Sequence, residues 1–111
     1  MRYTESMEEK YEIIADLLLK NTPLFEALAD PMRQTILLLL ADKRQLSVGE
    51  LTGYTDLSRP ASSHHIRVLR DAGLLRESRV GVRRYYQPSF GQGLESINEL
   101  MQKICNVKEI M

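Results

Sequence analysis

The chain has 111 residues, 43% hydrophobic and 27% charged, which suits one globular domain and excludes disordered or coiled-coil composition. Its longest apolar run, Ile36 to Ala41, falls short of the ~20 residues of a membrane span. Its acidic N-terminus does not read as a signal peptide, and the single cysteine, Cys105, has no intrachain disulfide partner, which fits a cytoplasmic location.

Formal net charge is zero, but its distribution is uneven. Residues 1–30 hold three basic and seven acidic side chains, whereas residues 58–86 hold Arg59, Arg67, Arg70, Arg76, Arg79, Arg83 and Arg84 against Asp71 and Glu77. The field that could attract a polyanion is therefore confined to one contiguous third of the chain.

In chain order, residues 5–20 read as a helix, with Met7, Tyr11, Ile14, Leu17 and Leu18 at helical spacing and acids in its first turns. Asn21-Thr22-Pro23 breaks it and opens a short helix through Leu28. Asp30-Pro31 repeats that signal for a helix to about Asp42, and Ile36 to Leu40 run so nearly round it that it is expected to be the buried central helix. Ser47-Val48-Gly49-Glu50 matches a capping box for a short helix ending near Tyr54. After the turn Thr55-Asp56-Leu57, Ser58 caps a further helix to Ala72, which Gly73 stops. Two helices joined by so short a turn form a helix-turn-helix.

The period then changes. Leu74 to Arg79 and Arg83 to Gln87 read as strands around the turn Val80-Gly81-Val82, with Pro88 ending the second strand. Residues 91–108 return to helical spacing through Leu94, Ile97, Leu100, Met101, Ile104 and Val107, a pattern that continues to Ile110. No repeat, linker or low-complexity stretch divides residues 1–111. The expected fold is mainly α with a small β-hairpin: five helices, a two-stranded wing (74–87) and a C-terminal helix.

On a helical wheel at about 100° per residue, Arg59, Arg70, Ser63 and Arg67 fall within about 80° of one another, with Pro60, Asp71 and His64 beside them. Val68, Ala61, Ala72, His65, Leu69 and Ile66 take the opposite half. Residues 58–72 therefore suit a major-groove helix: arginine pairs bidentately with guanine, and Ser or His serves a base edge or a phosphate. Arg59, Ser63 and His64, toward the N-terminal half, are expected near base edges. Arg67 and Arg70 are expected on phosphates, with Ser58 at the helix start and Arg83 and Arg84 of the wing completing the DNA-binding set. A merely solvated helix face, and a charged hairpin that only blunts a sheet edge, are the plainer readings of the same residues. His65, on the apolar half, reads as a hydrogen-bonded core histidine. His64 points about 100° away from it, so the two do not clasp one metal from a regular helix. Ser62, also on the buried side, is expected to bond back to its own helix.

The run from Leu24 to Tyr86 resembles the ArsR/SmtB family of dimeric repressors. The matching stretches are Leu24 to Arg33, Leu46-Ser47-Val48-Gly49-Glu50-Leu51, Leu57 to Leu75 and Gly81 to Tyr86, of which Ser63 to Leu74 is the most specific. The resemblance implies a winged helix-turn-helix homodimer, joined through its first helix (5–20) and last helix (91–108), that represses a near-palindromic operator until an effector binds. On that reading Tyr11, Ile14, Leu18, Leu94, Ile97, Met101 and Ile104 form the dimer interface, with half-sites about one DNA turn (~34–36 Å) apart.

Departures from the family pattern are equally specific. The arsenic-type site has cysteines where this chain has Ser47 and Gly49, the zinc-type site needs a histidine that residues 91–111 lack, and redox-sensing relatives use a cysteine pair where Cys105 stands alone. No metal site and no cofactor are expected. Ser62 also replaces a usually apolar residue. Constitutive repression, a small-molecule sensor in the dimer cleft and a thiol switch at Cys105 all stay open. With no Gly-rich phosphate loop or nucleophile motif, an enzyme is not expected. The rival reading is a winged-helix protein-interaction module whose arginine face meets an acidic protein.

Overall fold

The computed structural model describes residues 9–107. The expected helix start at residue 5, with Met7, and the helix end at residue 108, with Ile110, lie outside the described residues.

Six helices and one hairpin follow the expected order: α1 (Glu9–Lys20), α2 (Thr22–Ala29), α3 (Pro31–Lys43), α4 (Val48–Thr52), α5 (Arg59–Asp71), β1 (Leu75–Val80), β2 (Arg83–Pro88) and α6 (Gly91–Asn106). The start signals act as read. Asp30 accepts from Met32 N at 2.8 Å with Pro31 in the first turn of α3. At α4, Ser47 Oγ accepts from Glu50 N at 3.1 Å while Ser47 N donates to Glu50 Oε1 at 2.9 Å. Helix α5 ends in a Schellman motif: Gly73, at φ 82°, donates to Arg70 O, Leu74 N donates to Leu69 O at 3.0 Å, and Leu69 and Leu74 are both buried. Helix α3 instead ends on Arg44, an arginine at φ 76° where glycine would be unstrained.

Helices α2 to α5 and β2 enclose one core, in which Ile36 and Leu40 of α3, Leu51 of α4 and Leu69 of α5 are fully buried together with Leu74. Helix α3 is not buried all round: Ile36, Leu37 and Leu40 face the core, while Leu38 is 72% exposed and Leu39 half-buried. A helix has only one face toward a single adjacent layer, so an unbroken apolar run overstates its burial. The wing also differs in detail. Val80 pairs with Arg83, so the turn is Gly81-Val82 alone, with Gly81 at φ 64° in the first central position as type II′ requires. Pro88 is the last residue of β2, opposite Leu75, and ends the strand as expected. An additional bridge pairs Leu46 with Tyr86 on β2 (Leu46 N to Tyr86 O 3.1 Å, Tyr86 N to Leu46 O 2.8 Å), tying the α3–α4 connection to the wing.

Helix α1 packs against α6 and only lightly against α2, giving an elongated chain of 54 × 22 × 22 Å. Leu17 of α1 and Leu100 of α6 are buried there, but Ile13, Leu18, Leu19, Leu94 and Met101 stay exposed.

Candidate nucleic-acid interface

Local sequence places each side chain of the basic face. Ser58 caps α5 by accepting from Ala61 N at 3.2 Å, which leaves its hydroxyl proton as a donor. Thr55 Oγ1, bonded to Leu51 O and Leu57 N, shapes the turn from α4. On α5 itself Ser62, Ile66 and Leu69 are buried, while Arg59, His64, Arg67 and Arg70 are exposed and Ser63 is half-buried. The wheel split is therefore the split seen in the fold.

Ser62 departs from expectation in one respect. It is fully buried, but its Oγ has no hydrogen-bond partner among the described residues and does not bond back to its helix.

The α4 start, the N-terminal half of α5 and the wing enclose a concavity of about 630 Å³ into which Ser47, Gly49, Arg59, Ser63, Arg83 and Arg84 all project or present backbone. None of Arg59, Arg67, Arg83 and Arg84 is ion-paired among the described residues. Across the hairpin Arg79 sits directly opposite Arg84, a like-charge pair that costs energy unless an anion lies between or beside the two. The wing tip carries Val82, 97% exposed. Gly49 matters to Arg59: a methyl group built at residue 49 would lie 3.2 Å from Arg59 Nη1, so the bare glycine lets the guanidinium lie against α4.

Arg70 behaves differently from the other arginines of α5. It donates to Glu77 Oε1 at 3.3 Å and pairs with Asp71 at 3.7 Å. Glu77 also sits opposite Tyr86 across the hairpin; burial first, then hydrogen bonding and charge from Glu77, hold the phenol above its usual value. Arg70, Glu77 and Tyr86 thus strap α5 to both wing strands. Glu77 is the one acidic residue in the two strand sequences, and that was the available signal for this strap.

His65 is half-buried, and its partner is Arg33 Nη1 at 3.2 Å from Nδ1. Burial leads the causes that push its imidazole below the ordinary histidine value, with Arg33 and His64 adding to it and Asp30 opposing. The rings of His64 and His65 are 5.8 Å apart and tilted. No group of three or more His, Cys, Asp or Glu side chains among the described residues is placed to hold a metal ion. Cys105 is exposed. No helix among the described residues is long and apolar enough to cross a membrane.

Residues 30–77 match the family described as bacterial regulatory protein, arsR family. The arsenic resistance transcriptional regulator ArsR1 of Pseudomonas putida is 43% identical over 63 residues, 57% of this chain and 49% of that protein, so the chain spans about half the length of this relative. The transcriptional repressor SdpR of Bacillus subtilis is 31% identical over 80 residues, 72% of this chain and 88% of that protein. A winged helix-turn-helix DNA-binding domain from Mycobacterium bovis, solved in solution, superposes with a TM-score of 0.61 over 94% of this chain and 92% of that one, at 22% identity, a likeness of fold.

Proposed function

The chain belongs to the ArsR family of winged helix-turn-helix transcriptional regulators, and on that premise we propose that it binds duplex DNA as a homodimeric repressor of a near-palindromic operator. The observation that carries this reading is the convergence of Arg59, Ser63, Arg83 and Arg84 on one concave surface, with no carboxylate among the described residues pairing the arginines. Arg67 and His64 extend the same surface along α5. Phosphate neutralisation would also relieve the Arg79–Arg84 opposition in the wing.

Within that surface, Arg59 and Ser63 read base edges together with His64, while Arg67, Arg83 and Arg84 hold phosphates. Ser58 adds a hydroxyl donor at the start of α5. Arg70 serves a phosphate only alongside its strap to Glu77, so removing it loosens the wing as well. Dimerisation uses α1 and α6: Leu18, Leu94 and Met101 are exposed apolar residues on the pair, Tyr11, Ile14 and Ile104 are half-buried beside them, and Ile97 packs partly into the core. Ile13 and Leu19 enlarge that surface. Ser47 and Gly49 supply no thiolate, so the regulator takes no arsenite at the position where the resemblance places that ligand set.

Selection of bound duplex from a random pool, followed by substitution, tests the assignment. Arg67→Ala is expected to weaken every sequence alike, whereas Arg59→Ala and Ser63→Ala change which sequences are preferred. Equal losses on selected and random duplex for all three variants would refute this division of roles. The protein-interaction reading predicts no selected duplex at all.

A further inference from the structure

Arg33 occupies the junction of three helices, and each of its three guanidinium nitrogens has a partner there. Its Nε donates to Ala27 O at 2.9 Å and its Nη2 to Glu26 O at 3.1 Å, closing carbonyls left open at the end of α2. Its Nη1 lies 3.4 Å from Asp30 Oδ2 and 3.2 Å from His65 Nδ1. The last of these reaches α5, 32 residues away. A guanidinium has five donors and no acceptor. The bond therefore exists only while His65 Nδ1 carries a lone pair, so the imidazole is neutral with its proton on Nε2.

Resting on the DNA-binding reading for its functional consequence, we infer that Arg33 and His65 form a proton-sensitive tie that seats α5 on α2 and α3. Protonation at Nδ1 replaces an acceptor by a cationic N–H pointed at a guanidinium. The bond is lost and two positive charges face each other at hydrogen-bond distance. Helix α5 carries the DNA-reading face on its other side, so the tie positions Arg59, Ser63 and Arg67 without touching DNA.

Burial sets the direction, and the charges around His65 modify it. Arg33 of α3 and His64 of α5 disfavour its protonation, and Asp30 at the start of α3 favours it. Helix α2 contributes carbonyls to Arg33, and its acid Glu26 has an exposed side chain. Of the charges on α4 and β1, Glu50 is held in the capping box and Glu77 on Arg70. Burial and Arg33 thus move the opening of the tie to a pH below the ordinary histidine value.

Two measurements on the whole chain decide it. First, the unmodified protein is titrated by NMR from pH 8 to 5. Nitrogen-15 shifts should show His65 Nδ1 unprotonated at pH 8, and amides along α5 and at residues 26–33 should move together with the His65 titration. A His65 that binds its proton at Nδ1 at pH 8, or amide shifts confined to His65 itself, would overturn the tie. Second, duplex affinity is compared between the unmodified protein and His65→Gln at pH 7.5 and 5.5 at constant ionic strength. His64 is present in both, so their ratio isolates His65. The unmodified protein should lose on the order of tenfold more affinity than His65→Gln across that interval. Parallel pH profiles overturn the positioning role. If neither protein binds duplex at pH 7.5, the DNA reading fails instead, and the NMR titration alone decides whether the tie exists.

Discussion

Replacing Gly49 by alanine should raise stability and lower operator affinity at once. Gly49 is the second residue of α4, its φ is not in the left-handed region, and nothing but Arg59 Nη1 stands within 3.4 Å of the added methyl. Alanine narrows the unfolded ensemble and suits a helix, a gain of about 0.5–1 kcal/mol. For a domain of this size that raises Tm by roughly 2–5 °C. The 3.2 Å approach is relieved by moving the flexible end of Arg59 a few tenths of an ångström. Bidentate pairing with a base is worth about 1–3 kcal/mol and is steep in geometry, so a partial loss in each protomer should cost roughly three- to thirtyfold on the operator. Random duplex, held by phosphates, should change less than about twofold. Thermal melts and paired titrations on operator and random duplex read all three quantities. A lower Tm would show that Arg59 cannot yield. Unchanged operator affinity would remove Arg59 from base reading.

Ser62→Ala removes a fully buried hydroxyl that lacks a partner among the described residues, so chemical denaturation should show a gain of about 1 kcal/mol; a loss would mean that the hydroxyl is bonded. Arg44→Gly relieves a non-glycine residue at φ 76° and should stabilise by roughly 0.5–1 kcal/mol in the same assay, whereas destabilisation would place Arg44 in another conformation. Stability should fall on the acid side in two steps. His65 is held below its ordinary 6.5 chiefly by burial, so as pH falls through 6.5 the unfolded chain takes up a proton that the folded chain resists, and stability drops. Asp30 is held below its ordinary 3.8 chiefly by the Met32 backbone hydrogen bond, so its contribution is present above that value and is lost as pH falls through the folded value. A Tm that stays level from pH 7 to 5 would contradict the first step.

What was legible in the chain was local. Asp30-Pro31, the Ser47–Glu50 box, Ser58 and Gly73 each act within one turn, and all four delimit helices as their chemistry requires. The polar half of α5 was equally readable, because the wheel depends only on helical pitch. What was not legible depends on partners distant in sequence. The Leu46–Tyr86 bridge joins residues forty apart through backbone atoms alone, with no side-chain signature. Asp30 and Arg33 at i,i+3 announce an ion pair, but nothing in that spacing points to His65. The outward turn of Leu38 follows from where β2 and α5 lie, since five successive apolar residues carry no phase of their own. Arg70 was placed with the other arginines because the wheel sees one helix, whereas Glu77 reaches it from the wing after the Gly73 turn.

The most direct test is the salt dependence of binding to random duplex DNA. Arg70 is already paired with Glu77 and Asp71, so with Arg67, Arg83 and Arg84 on phosphates in each half a dimer neutralises six, and the plot of log affinity against log salt should have a slope near −5.4. Arg84→Ala, which removes two of the six, should bring it to about −3.6. No binding in dilute buffer, or a slope near zero that the substitution leaves unchanged, would contradict the account.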